Sequence, residues 1–194
     1  PSYSLGTQTI AGGVLNLNSS ADNTFVVNPT ATGLGLQALA VNAGSLNLNG
    51  RNLAVGTLSS LDVYPGMGGA VVSVTAATLT ATGGGVFGGV LSGSLSFARS
   101  GNNTTTFTSP QLYTGATVIR GGTLQLRDAG SILGSGSLTN YFGTLNLDSS
   151  YYTKYSTIDR LSVGSPASFF GGTLQLTGAP ALAVAENAGA VTLQ

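Results

Sequence analysis

The chain contains neither histidine nor cysteine. That removes Ser-His and Cys-His nucleophile pairs and the common zinc and iron ligand sets in one step. Carboxylate chemistry is what is left, and the acidic residues are Asp22, Asp62, Asp128, Asp148, Asp159 and Glu186. Glycan-cleaving enzymes need two carboxylates close together on a solvent face, often with a basic partner. No two of these six are close enough in sequence to suggest such a site, so each reads as an isolated turn or Asx-cap residue, and only stacking of distant strands could pair them. No residue is assigned a catalytic, cofactor-binding or metal-binding role. Calcium-binding solenoids carry Gly-Gly-x-Gly-x-Asp turns, which do not occur here, and Asp128 and Asp148 after their Leu-rich strands are single turn carboxylates. The glycine-rich stretch from Gly83 to Gly89 lacks the Lys-Ser or Lys-Thr of a phosphate loop and reads as a set of corners or a flexible loop.

One segment stands apart from the rest. From Asp148 to Arg160 the chain concentrates Tyr151, Tyr152 and Tyr155, the only lysine, Lys154, and the charges of Asp148, Asp159 and Arg160. Tyrosine gives contact area at low entropic cost, so Tyr151, Tyr152, Lys154, Tyr155 and Arg160 are the candidate residues for touching a glycan or a neighbouring chain. The threonine runs Thr78 to Thr82 and Thr104 to Thr108 are too irregular for an ice-ordering array and read as ordinary strand threonines facing outward.

The elements that position these residues follow from composition and periodicity. Charged residues are 6% of the chain and the net charge is zero, while 42% of residues are hydrophobic, so the chain folds and does not read as disordered. Little charge is available to keep copies apart. The six basic residues are scattered, which argues against a nucleic-acid partner. The uncharged stretch Val63 to Ala98 is broken by Pro65 and by glycine pairs and alternates β-branched with small polar residues, so it is not a membrane span.

Self-similarity dominates the sequence. Gly13-Val14-Leu15-Asn16-Leu17 is echoed at Gly44, Gly122, Gly143 and Gly172, and more weakly at Gly56 and Gly93. In each copy two apolar positions flank one polar residue, which in a strand puts both on one face. The glycine suits a sharp corner. No window keeps helical spacing for three turns, and Pro180 to Glu186 alternates like a strand. Repeats about 20 to 30 residues apart predict an all-β fold, a parallel β-helix or β-solenoid of about 8 to 10 coils built from residues 1–194 as a single segment.

The run Tyr113-Thr114-Gly115-Ala116-Thr117-Val118-Ile119-Arg120-Gly121-Gly122-Thr123-Leu124-Gln125-Leu126 resembles the autotransporter-associated β-strand repeat of bacterial autotransporter passenger domains. The resemblance covers Gly93 to Leu147 well and the remainder loosely. It implies a right-handed parallel β-helix displayed on the bacterial cell surface or secreted, and it transfers no catalytic residue. The absence of cysteine suits a chain threaded through an outer-membrane pore, and a start at Pro1 without a charged leader suits a portion of a larger mature protein. The expected function is therefore that of a non-catalytic structural rod, a stalk or filament segment whose partners are copies of itself or adjacent repeats of the same chain. The strand-like ends, with Leu5, Thr7 and Thr9 on one and Val191 and Leu193 on the other, are where stacking would occur. An adhesin that binds glycans or other cell-surface material through the tyrosine segment is the alternative.

Overall fold

The computed structural model describes residues 7–17, 23–24, 36–150, 159–180 and 183–194. Among these residues the fold is all-β, with no helix. Every strand pairing is parallel.

The strands form three sheets. The smallest runs β1 (Gln8–Ile10), β4 (Leu39–Val41), β7 (Leu58–Ser59). A second runs β9 (Gly85–Phe87), β11 (Thr104–Phe107), β14 (Thr123–Arg127), β16 (Thr144–Asp148), β18 (Thr173–Thr177). The two adjoin, because β7 lies against β9 and the Ser60 N–H donates to the Val86 carbonyl at 3.1 Å. The largest sheet runs β2 (Val14–Asn16), β5 (Ser45–Asn47), β8 (Ala70–Ala81), β10 (Val90–Arg99), β13 (Ala116–Ile119), β15 (Ser137–Asn140), β17 (Ala167–Phe169), β19 (Val191–Leu193). Three short strands join it at the side: β3 (Asn23–Thr24), β6 (Leu53–Val55) and β12 (Leu112–Tyr113).

The repeats begin strands except the weak copy at Gly93, which lies inside β10, and the copies divide between sheets. Those at Gly13 and Gly44 supply β2 and β5 of the largest sheet, whereas those at Gly122, Gly143 and Gly172 supply β14, β16 and β18 of the second. The motif encodes a corner followed by a half-buried strand, and either kind of corner can use it.

Register converts the alternation into columns. Phe107, Leu126, Leu147 and Leu176 stack on one another, as do Thr105, Leu124, Leu145 and Leu174. The inward residues of all three sheets belong to one core cluster, in which Phe107 packs edge-on against Phe97 with ring centroids 4.9 Å apart. Between these columns run Thr106, Gln125, Asn146 and Gln175, and Thr104, Thr123, Thr144 and Thr173 form a column on the outer face beside them. The threonine run is thus only partly outward: Thr105 occupies a core position beside Leu124, and Thr108 is buried with it.

Close approach of successive rungs explains glycine at the corners. A Cβ on Gly44 would sit on the carbonyl oxygen of Gly13, one on Gly69 would lie 2.8 Å from that of Gly44, and one on Gly89 would sit on that of Gly69. The stretch from Gly83 to Gly89 contains β9 between two such approaches and is not an open loop. Residues 183–186 form no strand, contrary to their alternation.

Candidate functional site

The carboxylates are where chemistry would occur, and the fold does bring some of them together. Arg127 of β14 pairs in register with Asp148 of β16, which places Asp128 one residue beyond the pair. Arg160 reaches into the same corner. Its Nη1 donates to the Gly130 carbonyl at 2.7 Å and its Nη2 to the Asp148 carbonyl at 3.0 Å. One Asp128 oxygen accepts from Arg127 Nε at 3.1 Å, while Oδ1 is buried without a hydrogen-bond partner. Asp148 is committed on both oxygens, Oδ1 to the N–H and hydroxyl of Ser150 and Oδ2 to the Gln125 amide at 2.8 Å. Glu186 Oε1 accepts the backbone N–H groups of Arg160 and Leu161, each at 2.7 Å. Asp159 receives the N–H and side-chain amide of Asn187.

Burial and charge in this corner oppose each other. Burial lowers the pKa of the Arg160 guanidinium, and Glu186, Asp148 and Asp128 counter the shift. Burial pushes the Glu186 carboxyl above the usual range, and the two N–H donors work the other way. The arrangement is a closed network in which a guanidinium satisfies carbonyls from two neighbouring turns. No group of three or more metal-ligating side chains occurs among the described residues.

Arg160 therefore differs from its expected role. It is 1% exposed, and the reason is that the turn carbonyls of Gly130 and Asp148 need donors where no strand can supply them. Tyr151, Tyr152, Lys154 and Tyr155 lie outside the described residues. Arg99, which sequence reasoning did not single out, performs the same service at another corner. It is fully buried and donates to the carbonyls of Ala81, at 2.9 Å, and of Asn103. Its column continues through Ile119 to Asn140, whose amide bonds Gly143 on both its carbonyl and its N–H.

The clearest cavity is lined by Ile132, Ser135, Leu138, Leu161 and Ser165 among others, and its volume of about 10 Å³ holds about one water. No helix among the described residues is long and apolar enough to cross a membrane.

No family model, curated protein or solved structure matches the chain.

The remaining candidate is the pair of open ends. Arg99, Ile119, Asn140, Phe169 and Leu193 form one column by register. Phe169 is 3% exposed and Leu193 78% exposed. Leu176 and Val191 are exposed at the same end, and Val14 and Leu15 of β2 at the other. Thr7 and Thr9 are exposed at and before β1, and Leu5 lies outside the described residues. None of β1, β2, β18 and β19 carries a charged residue or a proline, the usual means of blocking a sheet edge.

Proposed function

We propose that the chain is a length of right-handed parallel β-helix that serves as a non-catalytic structural rod of a secreted bacterial surface protein and stacks end to end by strand pairing. The three strands of the small sheet and the five of the second would supply eight coils, for a length of roughly 40 Å at ~4.8 Å per coil. Parallel crossovers are right-handed in nearly all folds, which favours that hand. The resemblance of the Tyr113 to Leu126 run to autotransporter passenger repeats, together with the lack of cysteine, supports placement outside the cell. The engaged state of Asp128, Asp148, Asp159 and Glu186 supports a non-catalytic role.

The observation that carries the stacking is the exposed continuation of the inner columns at both ends. Because all pairings are parallel, a further coil on β19 and β18 presents the same face as β1 and β2, and the contact is head-to-tail and open-ended. A Cβ on Gly13 meets nothing within 4 Å, whereas one on Gly44 would strike the preceding rung. Gly13→Ala thus closes the first end and Leu193→Lys the second.

Sedimentation velocity provides the test. The wild-type chain is expected to lengthen with concentration, and end-to-end growth to stop in each variant alone. An equimolar mixture of the two should give a one-to-one dimer and nothing longer, because one live end of each kind remains. A wild-type chain that stays a monomer at about 100 μM, where Kd values of practical interest would already show, refutes the reading.

A further inference from the structure

The last coil of the chain carries a charge between its two uncharged strands, β18 and β19. Residues 183–190 lead into β19 as residues 159–166 lead into β17 on the coil before, and Ala167 and Val191 pair in register. On this side a side chain takes the place of a strand. The Ile132 N–H donates to the Arg160 carbonyl at 2.8 Å, an ordinary bond from rung to rung. One rung further, the N–H groups of Arg160 and Leu161 donate to Glu186 Oε1, so a carboxylate stands where a strand would offer a backbone carbonyl. The residues after Glu186 fix it there. The Asn187 N–H donates to Asp159 Oδ1 at 3.1 Å, and the Gly189 N–H donates to the Ser162 carbonyl at 3.1 Å. Glu186 itself is half-buried in the single chain.

A second copy joined at this end covers Glu186 with an uncharged coil. β3 stands in the line of strands that runs through β6, the second halves of β8 and β10, β13, β15 and β17 to β19. The small sheet of β1 adjoins the sheet that ends in β18. The first coil of a second copy in the same register therefore sets β1 over β18 and β3 over β19, and β2, between them in the chain, over residues 183–190. Val14 and Leu15 of β2 are exposed, and no charged side chain precedes Asp22. Joining thus removes water from the Glu186 carboxylate and brings no cationic side chain to it, and a carboxyl so placed favours its neutral form.

Building on the reading that the ends stack, we propose that Glu186 makes the joint acid-sensitive: when the first coil of a second copy covers it, the carboxylate takes up a proton, so end-to-end growth strengthens as the solution is acidified. The surroundings of Glu186 already lean this way in the single chain. Burial lifts its carboxyl above the usual range, against the two N–H donors of Arg160 and Leu161. Among the described residues the charged groups facing it are Asp159, which also disfavours the carboxylate, and Arg160, which favours it. Asp148 and Asp128 act on the same guanidinium, so its charge is shared. A cover of uncharged residues adds to burial, and the joined state binds the proton more tightly than the separate ends. Association is therefore strongest below both pKa values and weakens as pH rises through them, by at most one proton per joint, or about tenfold in Kd per pH unit.

The test compares the whole chain with its Glu186→Gln variant by sedimentation velocity at about pH 7 and about pH 5, a window just above the ordinary carboxylate range. The wild-type chain is expected to grow at least threefold more tightly at the lower pH. Glu186→Gln keeps an oxygen for the two N–H donors and is expected to grow at both pH values as the wild type does at the lower one. A second measurement needs no change at Glu186, which is the only glutamate in the chain. With carbon-13 in its carboxyl, the Gly13→Ala chain is titrated by NMR alone and in its one-to-one mixture with the Leu193→Lys chain, whose live first end covers Glu186. The pKa is expected to rise in the mixture. Growth that is equal at both pH values, a pH response that survives Glu186→Gln, or an unmoved pKa in a mixture that does form dimers overturns this inference and leaves stacking in place. A wild-type chain that is monomeric at both pH values overturns stacking and the inference together.

Discussion

At the scale of single residues, the chain uses its few charges inside as well as outside. Arg160 illustrates why. A corner between stacked strands leaves carbonyls that the ladder cannot reach, and an arginine fork satisfies two of them at once, those of Gly130 and Asp148. The accompanying charge is balanced by Glu186, Asp148 and Asp128, each of which acts on it electrostatically. Replacing Arg160 with methionine fills the space but leaves those carbonyls without donors and removes the positive charge that Glu186 and Asp148 balance. The expected loss is about 3–5 kcal/mol, read as a lower urea midpoint. A surface contact residue would behave in the opposite way, with stability unchanged and only binding affected.

At the scale of elements, one motif builds corners of different sheets, and that limits what the sequence reveals. The alternation of Leu145 and Leu147 around Asn146 shows which residues face inward, and register confirms it by stacking Leu124, Leu145 and Leu174. The alternation does not show that the copy at Gly44 and the copy at Gly143 belong to different sheets, since both satisfy the same local requirement. Thr105 was misleading for a related reason: its hydroxyl donates to the Gly83 carbonyl at 3.3 Å, so a core position accepts a polar residue. The inward role of Arg160 was also hidden, because a basic residue near tyrosines looks like a surface feature until the turn carbonyls around it are known. The lack of charge on β1, β2, β18 and β19 was legible in the sequence, while the anchoring of the Leu61 to Met67 loop was not, because it depends on Asn42, Gly88 and Ser109, far away in sequence.

The glycine columns make the element-level claim quantitative. Gly44 and Gly13 have nearly the same backbone, with φ of 72° and 70°. Alanine at either position incurs the left-handed penalty of about 1–2 kcal/mol. At Gly44 the new Cβ also collides with the Gly13 carbonyl, which is backbone and cannot move without separating β2 from β5. Gly44→Ala should therefore lose about 3 kcal/mol or more, clearly beyond Gly13→Ala, in paired thermal denaturations. Equal losses would mean that the two rungs do not approach this closely.

At the scale of the whole molecule, the same column turns from a packing constraint into an address. Gly44, Gly69, Gly89 and Gly93 each lie against a carbonyl of the rung before, whereas a Cβ on Gly13 meets nothing within 4 Å. The four terminal strands are uncharged, so the force available for joining ends is burial of Val14, Leu15, Leu176, Val191 and Leu193 together with new ladder hydrogen bonds. An association of that origin responds to solvent differently from one built on ion pairs. Growth in length should change little as sodium chloride rises from about 0.05 to 0.5 M, over which the Debye length shrinks severalfold. It should strengthen in sodium sulfate and weaken on cooling, following the temperature dependence of apolar burial. Light scattering during a salt titration and a cooling ramp measures both. Dissolution by sodium chloride would trace the contact to charged side chains such as Arg120 or Arg127, on the flanks of the strands, and would remove the ends from the explanation.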